Sequence, residues 1–176
     1  MGSNVVVSAH NAVHVERRLK ALDFLVVVDF FLYETAQLAH VVLPSAQWAE
    51  EDGTMTNLEG RVILRRRAVD PPEGVRTDLE VLSALAKRMG KQRYFPSSNS
   101  RDVFEELRRA SHGGPADYLG TSYERIEAED GVFWPCPSAD HPGTPRLFAE
   151  SFPTASGRAR FHPVSHDGRL PIVLVV

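Results

Sequence analysis

The feature that most constrains this fold is Phe24-Leu25-Val26-Val27-Val28, a continuous apolar run closed by Asp29. A strand that is apolar on both faces needs cover on both faces, which a parallel sheet with crossover helices provides. The flanking sequence agrees. Asn11 to Ala21 reads as a helix: Val13, Leu19 and Leu22 lie near one face, Glu16, Arg17, Arg18 and Lys20 are polar, and Asn11 can cap it. Glu34 to Ala39 reads as a short helix, and Val41-Val42-Leu43 as a second buried strand stopped by Pro44. Asn4 to Ser8 reads as the end of a strand or the turn after it.

Strand, helix, strand, helix, strand within about forty residues is an α/β pattern of the Rossmann type. The glycine fingerprint of a dinucleotide site is absent. The pattern then changes. Gly53 to Arg67 reads as an extended excursion or hairpin, and Asp70-Pro71-Pro72-Glu73-Gly74 as a turn. A helix is expected from Thr77 or Asp78 to Met89, stopped by Gly90, with Leu79, Leu82, Leu85 and Met89 on one stripe. Tyr94 to Ser100 reads as a loop. Arg101 to Ala110 reads as a further helix with Val103, Phe104 and Leu107 inward, ended by His112 to Gly114. Tyr118 to Pro145 reads as loop-rich, and Gly157 to Pro163 alternates like a strand. The chain stops on the apolar run Leu170 to Val176, expected to be the first strand of a further domain.

Composition narrows the function classes. With 176 residues, 43% hydrophobic and 24% charged, the chain is in the globular range. A chain this long buries roughly 70% of its unfolded surface, enough for a core. A net charge of -3 gives no general electrostatic reason to expect nucleic acid. The single cysteine, Cys136, excludes an intrachain disulfide and any cysteine-held zinc or iron–sulfur site built from this chain alone. No apolar run approaches the roughly 18 residues of a membrane span. No signal peptide is read at Met1, so a cytoplasmic location is expected.

Candidate chemistry concentrates at a few positions. Asp29 ends a buried strand, where open α/β sheets place ligands, and an acid there takes a hydroxyl or amine of a nucleotide or else caps the next segment. Glu50, Glu51 and Asp52 follow Trp48 and read as acid–base groups, metal ligands or a solvated loop. Arg61, Arg65, Arg66 and Arg67 read as phosphate or partner contacts, or as a solvated face. Asp78 reads as a helix N-cap or a ligand contact. His10, His14 and His40 read as surface or capping residues, and Cys136, before Pro137, as structural.

Several linked stretches carry a resemblance. "LDFLVVVDFFLYETAQLAHVVLPSAQWAEEDGTMTNLEGRV" and "RRRAVDPPEGVRTDLEVLSALAKRMG" closely resemble the molybdopterin oxidoreductases of the dimethyl-sulfoxide-reductase superfamily, in the nitrate reductase and formate dehydrogenase branch. "MGSNVVVSAHNA" resembles that family's nucleotide-contacting turn. "SYERIEAEDGVFWPCPSADHPGTPRLF" and "FPTASGRARFHPV" resemble the segment leading to its final β-barrel domain, most like assimilatory nitrate reductases. The departures are Val28 for a polar residue, Tyr33 for Thr, His40 for Asp, and Val5 and His10 for Pro.

The resemblance implies an α/β fold. Residues 1–95 would belong to a Rossmann-like dinucleotide-binding domain, 96–165 to a helical and loop-rich linking segment, and 166–176 to the start of a truncated β-barrel domain. It implies a parent enzyme holding molybdenum on two molybdopterin guanine dinucleotides, fed by a four-iron four-sulfur cluster that this chain does not hold. Asn4 would lie on the turn facing one dinucleotide. Asp29, with Val28 before it, would reach the guanine or ribose, and Glu51 and Asp78 would contact the guanosine part. Gly53 and Gly60 would bring backbone close to the cofactor. The cluster cysteines and the metal ligand have no counterpart, so the chain alone is expected to be inactive. Its expected partners are the remainder of the catalytic subunit and an electron-donor subunit or protein. The parent reaction implied is reduction of nitrate to nitrite. The alternatives are a formate dehydrogenase alpha subunit or a non-catalytic nucleotide- or partner-binding module.

Overall fold

The computed structural model describes residues 1–162. The expected strand at Leu170 to Val176 lies outside the described residues. Two compact units are present, Met1–Pro145 and a second beginning at Arg146. The first contains a two-stranded parallel sheet and a three-stranded antiparallel sheet with helices, a mixed α/β fold.

The parallel sheet pairs β1, Val26–Asp29, with β2, Val41–Pro44, in the register Val26↔Val41 to Asp29↔Pro44. Val27, Val28 and Asp29 are buried. Phe24 is exposed, so the strand starts later than the apolar run does. The crossover contains the short helix α3, Glu34–Gln37. Asn4 to Ser8 is not a strand end. Val5–Ser8 forms one helical turn, α1, because Asn4 anchors it through the side-chain bonds described below. Helix α2, Ala12–Lys20, forms where expected, and Asn11 Oδ1 caps it by accepting from the His14 N–H at 3.3 Å.

The hairpin forms as read. Strand β3, Gly53–Thr56, pairs antiparallel with β4, Arg61–Arg65. Asn57 closes the turn by accepting from the N–H groups of Glu59 and Arg61, and Gly60 supplies the φ of +83° that the turn needs. Helix α4, Asp78–Arg88, is capped by Thr77, not Asp78. Thr77 Oγ1 accepts from Glu80 N–H while Glu80 accepts from Thr77 N–H, a reciprocal capping box. Asp78 is therefore the first helical residue. Gly90 ends the helix with φ +67°.

The stretch 118–145 is loop-rich as read, with two short elements within it. This stretch holds α6, Tyr123–Ala128, and β5, Val132–Phe133, which pairs with β4 through Arg61↔Phe133 and Val62↔Val132. With α5, Ser100–Ala110, it builds the main core: Val62, Phe104, Ile126, Val132 and Cys136, with Tyr118, Tyr123 and Trp134 packed around them. Val62 and Ile126 are each 1% exposed and Cys136 is sealed. The core takes residues from both sides of position 95. α6 and β5 are too short to show a period, so aromatic packing and glycines define them instead.

In the second unit, Phe148 and Phe152 stack at 5.1 Å, and Phe152 N–H donates to the Gly157 carbonyl. Residues 157–162 are not a strand. No neighbouring strand takes up their backbone groups among the described residues, and Phe161 is 92% exposed.

Candidate functional site

The parallel register sets the carboxyl ends of β1 and β2 side by side, with Asp29 opposite Pro44. Three backbone connections bring other segments to that end. Gly2 N–H donates to the Val28 carbonyl at 2.9 Å, which places the Asn4 turn there. Ser45 N–H donates to the Asp29 carbonyl at 3.2 Å. Ser45 also bridges to Arg76, and Ala46 N–H donates to the Arg76 carbonyl at 2.9 Å, which brings the start of α4 and Asp78 alongside. These links set the backbone of the Asn4 turn and of the start of α4 near the end of the sheet that carries Val28 and Asp29, the end at which open α/β sheets hold ligands.

Asn4, Val28, Asp29 and Asp78 differ in what they have free. Both polar atoms of the Asn4 side chain have partners within the chain. Its Oδ1 accepts from Thr35 N–H at 3.2 Å and Thr35 Oγ1 at 2.8 Å, and its Nδ2 donates to Glu34 Oε2 at 2.7 Å. The Asn4 amide holds the Glu34 carboxyl below its ordinary value, helped by a backbone bond of Glu34 itself. Asn4 thus shapes the turn. The Val28 side chain lines an apolar cleft of about 620 Å³ between the sheet and α4, with Val26, Val41, Leu43 and Leu85. Its carbonyl, not its side chain, serves the polar end.

Asp29 is 5% exposed, yet its carboxylate has a single partner among the described residues, the Phe30 N–H at 2.9 Å to Oδ1. Its second oxygen has no hydrogen-bond partner among the described residues and is not one of the sealed polar atoms, so it faces solvent at the strand end. Asp78 is exposed at the first turn of α4, also without a side-chain partner among the described residues.

Glu51 is held elsewhere. Arg65 Nη2 donates to its Oε1 at 2.7 Å, tying the acidic run to the hairpin. Glu50 accepts from Gln47 N–H, and Asp52 accepts from Arg67 N–H. The three acids do not converge. The arginines are paired too: Arg61 with Glu59, Arg66 with Glu127 and Arg67 with Asp70. A Cβ on Gly53 would meet the Arg65 guanidinium, and the Gly60 carbonyl accepts from Trp134 N–H. Both glycines thus have internal uses.

The sequence reading passed over Thr35, Ser45 and Arg76. Thr35 and Ser45 are buried at the same end, Thr35 against Asn4 and Val6 and Ser45 between β1 and Arg76. Their only signal was position just beyond a predicted strand or at a short helix. His40 accepts from Leu25 N–H through Nδ1 at 2.9 Å and stacks on Phe24, so it is a local brace. Cys136 is structural: Arg125 Nη1 lies 3.3 Å from its Sγ, which faces the Ser138 and His141 carbonyls. No helix among the described residues is long and apolar enough to cross a membrane.

Comparison with known proteins gives a consistent result. The family model described as molybdopterin oxidoreductase matches residues 1–88. The chain is 45% identical over 171 residues to the assimilatory nitrate reductase catalytic subunit of Bacillus subtilis, covering 97% of this chain and 24% of that protein. It is 45% identical over 166 residues to the F420-dependent formate dehydrogenase subunit alpha of Methanocaldococcus jannaschii, covering 94% of this chain and 24% of that protein. It is 37% identical to the assimilatory nitrate reductase of Haloferax mediterranei over 86% of its own length and 23% of that protein. The chain spans about a quarter of the length of the curated relatives it matches. A match over half of the chain, with every element of the sheet-end site inside it, establishes that this protein belongs to the molybdopterin oxidoreductase family.

Proposed function

We propose that this chain supplies part of the protein cradle for a guanine dinucleotide of a bis(molybdopterin guanine dinucleotide) molybdenum cofactor. The observation that carries the reading is Asp29: a carboxylate 5% exposed, at the carboxyl end of a parallel strand, with one oxygen lacking a donor. A guanine or ribose presents the N–H or O–H that such an oxygen lacks. Asp78 adds a second free carboxylate from α4. Asn4 and Val28 act by shape, Asn4 by fixing the turn through Thr35 and Val28 by presenting the strand end. Glu51 is assigned to the guanosine side by resemblance, and its pairing with Arg65 makes it a brace for that loop.

In the complete subunit, molybdenum would supply the redox chemistry, and the protein would bind, orient and shield it. A four-iron four-sulfur cluster held elsewhere would deliver electrons. We read residues 1–95 as part of the dinucleotide-binding domain, 96–165 as the linking segment and 166–176 as the start of a barrel domain. The partners are the remainder of the subunit and an electron donor, in the cytoplasm, and the subunit's reaction is nitrate reduction to nitrite. The equal identity to a formate dehydrogenase alpha subunit favours a second reading, formate oxidation on the same cradle. Assay of the complete subunit with each substrate, alongside molybdenum analysis, separates the two.

The cradle itself is tested by calorimetry of the purified chain with GDP, comparing wild type with Asp29→Ala and Asp78→Ala. Each variant is expected to weaken binding by about tenfold, the worth of one charge-assisted hydrogen bond. GDP binding that neither change weakens would remove both residues from the site.

A further inference from the structure

We propose that the turn at the end of α4 is a docking surface for an acidic face of a partner protein. Four cations fall close together there: Lys87 and Arg88 in the last turn of α4, then Lys91 and Arg93. The backbone gathers them. Gly90 N–H donates to the Lys87 carbonyl at 3.1 Å, and Lys91 N–H donates back to the Ala86 carbonyl at 2.7 Å. A single 3-10 turn, Gln92–Tyr94, follows at once, with Tyr94 N–H on the Lys91 carbonyl at 3.0 Å. Every residue from Lys87 to Pro96 is exposed.

None of the four cations has a carboxylate within ion-pair distance among the described residues. Elsewhere the chain supplies one. Arg61, Arg65, Arg66 and Arg67 of the hairpin each meet an acid, and so do Arg101 and Arg108 of α5. The α5 acids Asp102, Glu105 and Glu106 line the same cleft as Tyr94 and Phe95, yet Asp102 accepts from Ser97 and Glu105 binds Arg108. The helix dipole gives Lys87 and Arg88 a use within the fold, because cations suit a helix C-terminus. Lys91 and Arg93 lie beyond the helix and have no such use.

Apolar side chains stand among these cations, since Met89, Tyr94 and Phe95 are all exposed. Exposed Met, Tyr and Phe beside arginine are the composition enriched at protein interfaces. Unpaired cations steer an acidic partner toward them. A nucleic acid fits less well. The whole chain is net -3, so the surface beyond the four cations is more acidic still and repels a polyanion that runs past the patch. Arg93 also covers one face of the Tyr94 ring, 4.5 Å from its centre, and so takes that face from a stacking base. An anionic bilayer meets the same repulsion. An acidic face of a protein can match the patch alone.

The test uses a labelled peptide of glutamates with interspersed leucines as the probe, titrated with the whole chain and read by fluorescence anisotropy. Wild type is compared with Lys91→Glu/Arg93→Glu, with the milder Lys91→Gln/Arg93→Gln, and with Arg17→Glu/Arg18→Glu. The last pair is on α2, is also exposed and without an ion pair among the described residues, and changes the net charge equally. Thermal melting checks that each variant is folded. Charge reversal at Lys91 and Arg93 is expected to weaken binding by about tenfold or more and neutralisation by about threefold, with the α2 pair unchanged. Binding by wild type should fall steeply as salt rises. No peptide binding by wild type at low salt overturns the proposal. An equal loss in the α2 pair also overturns it, because the effect would then be one of net charge. Tighter binding of oligothymidylate, or of phosphatidylserine-containing vesicles, than of the peptide overturns it by giving the surface to a nucleic acid or a membrane.

Discussion

The parallel-sheet region and the region around Cys136 solve the burial problem in opposite ways. The first has the stronger apolar sequence and the weaker closure. Val26, Val41, Leu82 and Leu85 all remain exposed around an open cleft, and α2 buries none of its residues. The second is built from loops, glycines and polar bonds, yet it seals Cys136, Thr121, Ile126 and Val62 almost completely. Arg125 is its hub. The guanidinium donates to the carbonyls of Gly120, Ala139 and His141 and to Glu129, so the irregular backbone there is satisfied without a regular ladder. Its ion pair with Glu129 raises the guanidinium's affinity for its proton further, despite burial. Apolar content thus does not decide which part of this chain is self-contained. What decides is whether the chain brings its own cover.

The sharpest way to break the comparison is to overfill the closed region. A Cβ on Gly120 would sit 2.1 Å from the Ser138 carbonyl oxygen and 2.7 Å from Cys136 Sγ. The Cys136 side of this contact is held close, since Gly120 N–H is itself bonded to the Cys136 carbonyl at 2.7 Å. Gly120→Ala is expected to cost about 3 kcal/mol or more, read as a shift of the urea midpoint. A cost below about 1 kcal/mol would show that the loop gives way and that this region is not closed.

A smaller effect comes from Asp117, which ties the end of α5 to the same loop. It is buried, and it accepts from Leu119 N–H at 2.9 Å and Gly113 N–H at 2.7 Å, with His112 Nδ1 at 3.3 Å. Those backbone donors, Leu119 first and then Gly113, hold its carboxyl below the ordinary value of 3.8, and His112 adds to them. The folded value lies below the unfolded one, so the carboxylate supports the fold at every pH above the ordinary value. That support fades as pH falls from there through the folded value. Urea midpoints are expected to drop below pH 4 in wild type and to drop less in Asp117→Asn. Matching acid profiles for the two would remove Asp117 from the latch.

The same contrast governs how much was legible in the sequence. β1, β2, the hairpin, α4 and α5 each span enough residues for a period or a continuous run, with a cap or turn residue at the boundary. Asp29 followed from its position after a strand. Asn4 to Ser8 was misread because a single helical turn held by Asn4 and Thr35 depends on a contact across about thirty positions, which no local pattern encodes. The two short elements of the Cys136 region were not legible for a related reason. Its two-residue strand exists only because β4 lies beside it, and its order comes from Arg125 reaching carbonyls far along the chain. Arg76 gave no signal, since an arginine in a turn looks solvated until its backbone is seen against β2.

The least disruptive substitution tests the open side of the comparison. Leu85 is 53% exposed on α4, facing the cleft beside Val26 and Val41. Leu85→Gln keeps helix propensity nearly constant, so packing is the quantity that changes. In an isolated chain with an open cleft, little apolar surface is lost from contact, and the unfolding free energy should move by no more than about 0.5 kcal/mol. The same leucine in a covered site would cost about 2 kcal/mol or more on that change, because the cover would then enclose an amide without partners. A large loss measured in the isolated chain would therefore mean that copies of the chain cover the cleft for one another. Sedimentation at two protein concentrations would show it directly, as association present in wild type and absent in Leu85→Gln.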